Sequence, residues 1–358
     1  MKKERHNLNK KFIWAIIIAA VILAFAVFGV EGLEKVDNAN ENNTMPTTSN
    51  LFQLVQTIPL SNVSGRIDHM DIDLAGQRLF VAEIENNSVD IIDLKSGQRI
   101  HTITGLNEPQ GVIFVPKSKW LFVSNGGDGT VRIFDSDTLR LVKTINLSSD
   151  ADNMRYDPSQ NIIYVGYGNG AIGLINATNG KLVDSIRLDG HPESFQISVK
   201  PSPRIFVNVP DDNSIEVIDS QKLDVAAKWP NEGARDNYPM ALDEDNHRLF
   251  VVYRQPPQLF VINTDSGKPI EKFDTVGGAD DVYYDSKNEQ VYVTGWGGYL
   301  QVISQQDANH YKEVAMMPTA QGGGTSLLVP QSNRLYIAVP DYSGQGAKIE
   351  AYEIHKVQ

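Results

Sequence analysis

Leu79-Phe80-Val81 is the first of seven apolar triplets. The others are Leu121-Phe122-Val123, Ile163-Tyr164-Val165, Ile205-Phe206-Val207, Leu249-Phe250-Val251, Val291-Tyr292-Val293 and Leu335-Tyr336-Ile337. Successive starts lie 42, 42, 42, 44, 42 and 44 residues apart. A period of that length and regularity belongs to repeat architectures, and it fits one four-stranded propeller blade.

The residues around each triplet repeat as well. A short strand such as Val112–Pro116 or Met154–Asp157 comes first, followed by a polar turn such as Asp157-Pro158-Ser159-Gln160. The triplet is the second strand. A Gly/Asn/Asp loop then leads to a third strand with alternating apolar residues, as in Val89–Asp93 and Ile215–Asp219. A turn such as Thr178-Asn179-Gly180-Lys181 opens the fourth. Period-two alternation between turn-forming residues is what half-buried strands require. The predicted fold is all-β, a seven-bladed β-propeller over residues 51–358, with no amphipathic helix interrupting it.

The ends decide how the ring closes. Outer strands are expected near residues 98–103, 140–146, 181–187, 223–229, 269–274 and 311–317, which makes six. The last repeat stops after its third strand, near residues 347–354. Phe52–Leu60 (FQLVQTIPL) matches the outer strand Leu141–Leu147 (LVKTINL) and is predicted to complete the seventh blade. Such closure removes exposed sheet edges.

Upstream of the repeat the composition changes. Residues 1–11 form a basic segment, with Lys2, Lys3, Arg5, Lys10 and Lys11 against Glu4. Residues 12–30 run without a charge. As a helix they would rise about 28 Å, close to the hydrocarbon thickness of a bilayer. The basic flank orients this segment as a transmembrane signal anchor with its N-terminus in the cytoplasm. The alternative is a secreted protein, cleaved after the signal-like Ala24-Phe25-Ala26. Residues 31–50 are polar and Asn/Thr-rich, and read as a flexible tether. The propeller is thus expected outside the membrane, where Asn42, Asn62, Asn86, Asn146 and Asn176 head Asn-x-Ser/Thr sequons.

Cysteine is absent, which excludes disulfides, thiolate metal sites and cysteine nucleophiles. After residue 50 the chain holds 26 Lys/Arg and 39 Asp/Glu, a net of about −13. So acidic a body argues against nucleic acid as a partner.

The repeat resembles the YVTN-repeat β-propellers, the YncE-like group of seven-bladed proteins. The best match is LFVSNGGDGTVRIFDSDTLRLVKTI, Leu121 to Ile145, with Phe for Tyr and Ser for Thr in the signature. DADNMRYDPSQNIIYVGYG, GHPESFQISV, RIFVNVPD, YPMALDE and NRLYIAVP are similar to a secreted or membrane-anchored subgroup. The resemblance implies the fold strongly and assigns no chemistry.

In a propeller the residues just before each inner strand ring the mouth of the central channel. Counting back eleven from each triplet, with one residue's correction near Pro201-Ser202-Pro203, gives Asp68, Gln110, Asp152, Glu193, Tyr238, Asp280 and Gly324. The next positions are His69, Gly111, Asn153, Ser194, Pro239, Asp281 and Thr325. Other loops on that face add Tyr167, Asn169, Asp211, Asp212, Arg254, Trp296 and Tyr342. The mouth is therefore expected to be acidic, with several aromatics. These residues suit solvated Asx turns, a funnel for a cationic or small ligand or a peptide loop, or a divalent cation. Asp68, Asp152, Glu193 and Asp280 would hold such an ion, Ca2+ for example, although their radial separation works against it. No other cofactor is expected.

Arg155 stands on an inner strand where other repeats place Ile113, Ala241 and Leu327. It is expected to pair across blades with Asp71 or Glu193, or else to clamp an anion with Arg254. His191 joins the candidate set as the second histidine near the mouth. Ser194, His191 and Glu193 are too close in sequence to form a triad, and no nucleophile elbow accompanies them.

The function expected is binding: a monomeric, membrane-tethered propeller whose loop face takes a protein or small-molecule ligand. The alternative is a lactonase-like hydrolase or a lyase working from His69, Glu193, His191 and Asp280 at the mouth. A quinoprotein is disfavoured, because the Trp expected after Asn179-Gly180-Lys181 is missing and seven blades is one short.

Overall fold

A computed structural model describes residues 51–200, 202–342 and 344–355. The basic segment, anchor helix and tether expected over residues 1–50 lie outside these. The described residues form seven sheets, each of four antiparallel strands. The first blade shows the pattern: β2 (Ile67–Asp73), β3 (Arg78–Glu83), β4 (Ser88–Asp93) and β5 (Gln98–Ile103) follow one another from the channel outward. Among the described residues no helix is long and apolar enough to cross a membrane.

Each triplet occupies a second strand and is buried on both sides, with Leu79, Phe80 and Val81 wholly inaccessible. A strand sandwiched between neighbouring blades has no solvent face, so it reads as a continuous apolar run instead of an alternation. The outer strands do meet solvent. Leu182 and Val183 on β13 (Lys181–Arg187) are exposed.

The core lies between blades. Ile58, Leu60, Ile67, Leu79, Val81 and Ile349 form one cluster that joins the seventh blade to the first. The closing strand β1 (Phe52–Leu60) pairs antiparallel with β28 (Ala347–Ile354), from Phe52 opposite Ile354 to Leu60 opposite Ala347. The seventh sheet thus has the order β1, β28, β27 (Arg334–Val339), β26 (Ser326–Val329).

Asp at the end of an inner strand builds the turn that follows. Asp157 accepts the backbone N–H of Ser159 at 2.8 Å and of Gln160 at 3.3 Å, and Asn161 then adopts φ 57°. An Asx turn ending in a left-handed Asn is the local chemistry that returns the chain for the next strand.

Candidate functional site

The channel end of the inner strands is irregular in five blades, and this irregularity creates the mouth. Pairing between β2 and β3 runs from Ile67 opposite Glu83 to Met70 opposite Val81, so Asp68 and His69 together face one residue. The same shift spans Asp152–Asn153 on β10 (Ala151–Asp157), Gln110–Gly111 on β6 (Pro109–Val115) and Tyr238–Pro239 on β18 (Arg235–Asp243). On β22 (Ala279–Asp285) it falls at Asp280. Successive residues on a regular strand point to opposite faces, and a bulge breaks that alternation. Both members of a pair can then address the channel.

Side chains from all seven blades converge on one cavity of about 320 Å³. Asp68, His69, Gln110, Asp152, Asn153, His191, Glu193, Tyr238, Arg254, Asp280, Asp281 and Trp296 all line it. Arg155 does not. It lies one level below, on the wall of a channel cavity of about 480 Å³ that shares His69, Ser194, Pro239 and Asp281 with the mouth. Tyr342 lines a separate cavity of about 730 Å³ beyond Trp296. Asp212 is turned outward to Lys228, 2.5 Å away. Arg66 and Asp150 also line the mouth and escaped the count from the triplets. Their signal was an Arg two residues before Asp68 and an Asp two before Asp152.

Six carboxylates line the mouth against Arg66, Arg254 and two histidines, so it is acidic, and these cations pair with particular carboxylates. Arg66 Nη2 lies 3.2 Å from Asp68 Oδ2. Arg254 Nη2 donates to Asp280 Oδ1 at 2.9 Å, and its Nε donates to the Ala279 carbonyl. The Arg254 guanidinium sits 3.9 Å from the Tyr238 ring centroid and 4.7 Å from that of Trp296. His191 Nδ1 donates to the Gly168 carbonyl at 2.6 Å, with Asp150 and Asp152 at 3.6 and 3.7 Å from the ring. Burial opposes its charge, but Asp152, the Gly168 carbonyl and Glu193 win and raise its pKa to about 9. Four of the six carboxylates at the mouth thus lie beside a cation.

Glu193 is the exception. Among the described residues its carboxylate makes no ion pair and no hydrogen bond. Burial and the nearby Asp152 push its pKa up to about 7, against the pull of His191 and Arg254. Asp281 is likewise raised to about 7 by burial and by Asp280, although it accepts the Ser326 N–H at 2.6 Å.

His69 is under opposed demands. Burial disfavours its charge, yet Asp68, Asp152 and Asp281 raise its pKa to about 9. Asp68 Oδ1 lies 3.2 Å from Nδ1 but out of line for a hydrogen bond, so the attraction is electrostatic. On the other side Asn153 Nδ2 approaches Nε2 at 3.0 Å. Arg155 Nη1 donates to Asn153 Oδ1 and so fixes which way that amide points. This geometry asks Nε2 to accept, which only neutral imidazole can do. Turning the amide over would set its NH2 against Arg155, so this contact opposes the carboxylates' pull toward the imidazolium. Nε2 is thereby capped and does not face the cavity as a free base.

The expected ion pair of Arg155 is corrected. Neither Asp71 nor Glu193 reaches it. Asp71 accepts the Phe114 N–H of the next blade at 2.6 Å instead. Arg155 donates to Asn153, to the Met154 carbonyl and to Ser194 Oγ, with the Phe195 ring 5.6 Å away. As for a cation, Asp68, His69 and Asp152 bring ligand atoms within 4.8 Å of one another, whereas Glu193 and Asp280 stand outside this group. Arg66 already occupies Asp68 and Asn153 caps His69, so the donor set fits a metal poorly.

No family model matches the chain. A WD repeat-containing protein of Synechocystis sp. is 28% identical over 108 residues, covering 29% of this chain and 29% of that protein's length. A chain of the mitotic checkpoint complex superposes with a TM-score of 0.73 at 12% identity, over 92% of this chain and 100% of that one. A chain of Kuenenia stuttgartiensis hydrazine synthase gives 0.68 at 17% identity, over 81% and 97%. At such identities the likeness speaks to fold alone. The chain is a seven-bladed β-propeller with a distant WD-repeat relative.

Proposed function

We propose that this protein is a binding module of the YVTN-repeat type, held outside a membrane by residues 12–30, whose channel mouth receives a cationic group. The ligand is a protein side chain or a small molecule. The observation that carries this reading is Glu193: in a cavity lined by all seven blades, it is the carboxylate left without a partner. Asp68, Asp150, Asp152 and Asp280 each lie beside a cation and Asp281 accepts a backbone amide, so among the described residues an incoming ammonium or guanidinium finds Glu193 free. Tyr238 and Trp296 flank the same cavity, and aromatic faces favour cations.

The pH dependence follows from the raised pKa of about 7. A bound cation favours ionised Glu193, so affinity rises with pH through that value. Titrating the whole chain with butylguanidine should show about five- to tenfold tighter binding at about pH 8 than at about pH 6. Neutral butylurea should not bind, and Glu193→Gln should remove both binding and its pH dependence. Stability has the opposite sign. The folded protein holds this proton more tightly than the unfolded chain, so stability falls as pH rises from the ordinary glutamate range to about 7. Glu193→Gln should therefore melt higher than the parent at about pH 8 and much the same at about pH 4. Equal binding of butylguanidine and butylurea would sink the reading.

The hydrolase or lyase alternative draws on the same residues, and Glu193 near neutrality is the group that favours it. Against it, Asn153 caps His69 Nε2, while His191 Nδ1 is spent on Gly168. His191 Nε2 faces Asp152 at 3.7 Å, and neither ring hydrogen-bonds Glu193 among the described residues. Recognition uses the arrangement as it stands.

A further inference from the structure

Below the mouth the channel wall mixes apolar side chains, among them Ile113, Met154, Ala241 and Leu327, with polar ones such as Gln196 and Tyr283. Into this wall Arg155 brings a guanidinium with no carboxylate partner among the described residues. A guanidinium carries five N–H donors. Three are directed at Asn153 Oδ1, the Met154 carbonyl and Ser194 Oγ. The Nε–H and one Nη2–H remain. The two carboxylates that share the wall, Asp71 and Asp281, are committed to the Phe114 and Ser326 amides of neighbouring blades.

We propose that this channel binds a small organic anion, a carboxylate with an apolar body, on Arg155. The remaining N–H donors of the guanidinium meet the carboxylate, and the contacts from Asn153, Met154 and Ser194 hold it in place beforehand. Planar guanidinium matches planar carboxylate, which makes this a more specific pairing than a point charge would give. The apolar part of the wall covers the body of the ligand. A volume of about 480 Å³ accommodates a ring or a short chain. Access is through the mouth, because the two cavities share His69, Ser194, Pro239 and Asp281.

This site is independent of the vacancy at Glu193, and the test keeps them apart. Isothermal titration of the whole chain would use benzoate, neutral benzamide and inorganic phosphate. The expected order is benzoate tightest, with benzamide and phosphate each at least about tenfold weaker. Arg155→Met should lose at least about tenfold in benzoate affinity. Its melting temperature should stay within a few degrees of the parent's, because removing a desolvated charge offsets the acceptors left on Asn153, Met154 and Ser194. Should Arg155→Met fail to fold, Arg155→Lys keeps the charge but not the fork, and should still weaken benzoate by about fivefold. Glu193→Gln should leave benzoate binding in place while abolishing that of butylguanidine. Benzamide binding as well as benzoate would overturn the proposal, as would phosphate binding better or benzoate failing to bind at about 10 mM. Unchanged benzoate affinity in Arg155→Met would also overturn it.

Discussion

Deletion of Leu51 to Leu60 is expected to abolish cooperative folding of the propeller. The segment supplies the fourth strand of the last blade, pairing along its length with β28. It also brings Ile58 and Leu60, inaccessible or nearly so, into the cluster that joins the last blade to the first. Truncating one such side chain, Ile58→Ala, should cost about 2–5 kcal/mol. A domain's whole stability is about 5–15 kcal/mol, so losing the strand with both side chains exceeds what the ring can spare. The deletion would also leave β28 as an open edge, a template for pairing between molecules. Calorimetry should show no cooperative transition and light scattering should show aggregation. A variant melting within a few degrees of the parent would mean that the other blades close without the strand.

The second large effect is expected at Arg254. Its guanidinium lies between Tyr238 and Trp296 and holds Asp280 at 2.9 Å, so one side chain ties the fifth blade to the sixth. Arg254→Ala leaves Asp280, only 13% exposed, without its cation. Breaking a buried pair from one side costs more than the pair contributes, and the ring contacts add to the loss. We expect about 2–4 kcal/mol in chemical denaturation, reduced from the figure for a fully buried pair because Arg254 retains some solvent contact. Arg254→Lys restores the charge but not the stacking, and should recover less than half of that loss. A loss under about 0.5 kcal/mol in Arg254→Ala would place the array among ordinary surface ion pairs.

The architecture was legible because a propeller repeats its chemistry. Each triplet is buried for the same reason, each Asx turn closes the same way, and a missing seventh outer strand had to come from the other end. Counting from the triplets also located the mouth, since strand and turn lengths hold constant between blades. The charges at the mouth were harder to read. Residues tallied one blade at a time look acidic and the cavity is, but which carboxylates His191 and Arg254 meet is decided by blades apart in sequence. The contact of His69 with Asn153 spans 84 residues, and no local pattern announces it. Arg155 illustrates the limit most clearly. A buried Arg calls for a carboxylate, and Asp71 was near enough in the repeat, yet Asp71 serves the Phe114 amide instead. Which acceptor wins depends on how neighbouring blades meet, and that is a property of the folded ring.

The cation site at the mouth rests on Glu193, whose carboxyl can be watched directly. Carbon NMR of glutamate-labelled protein, with Glu193→Gln assigning the signal, gives its titration curve with and without butylguanidine. The expected pKa is about 7 in the free protein, falling when the cation is added. A Glu193 that titrates at the ordinary value of about 4.3 and ignores butylguanidine would contradict the account.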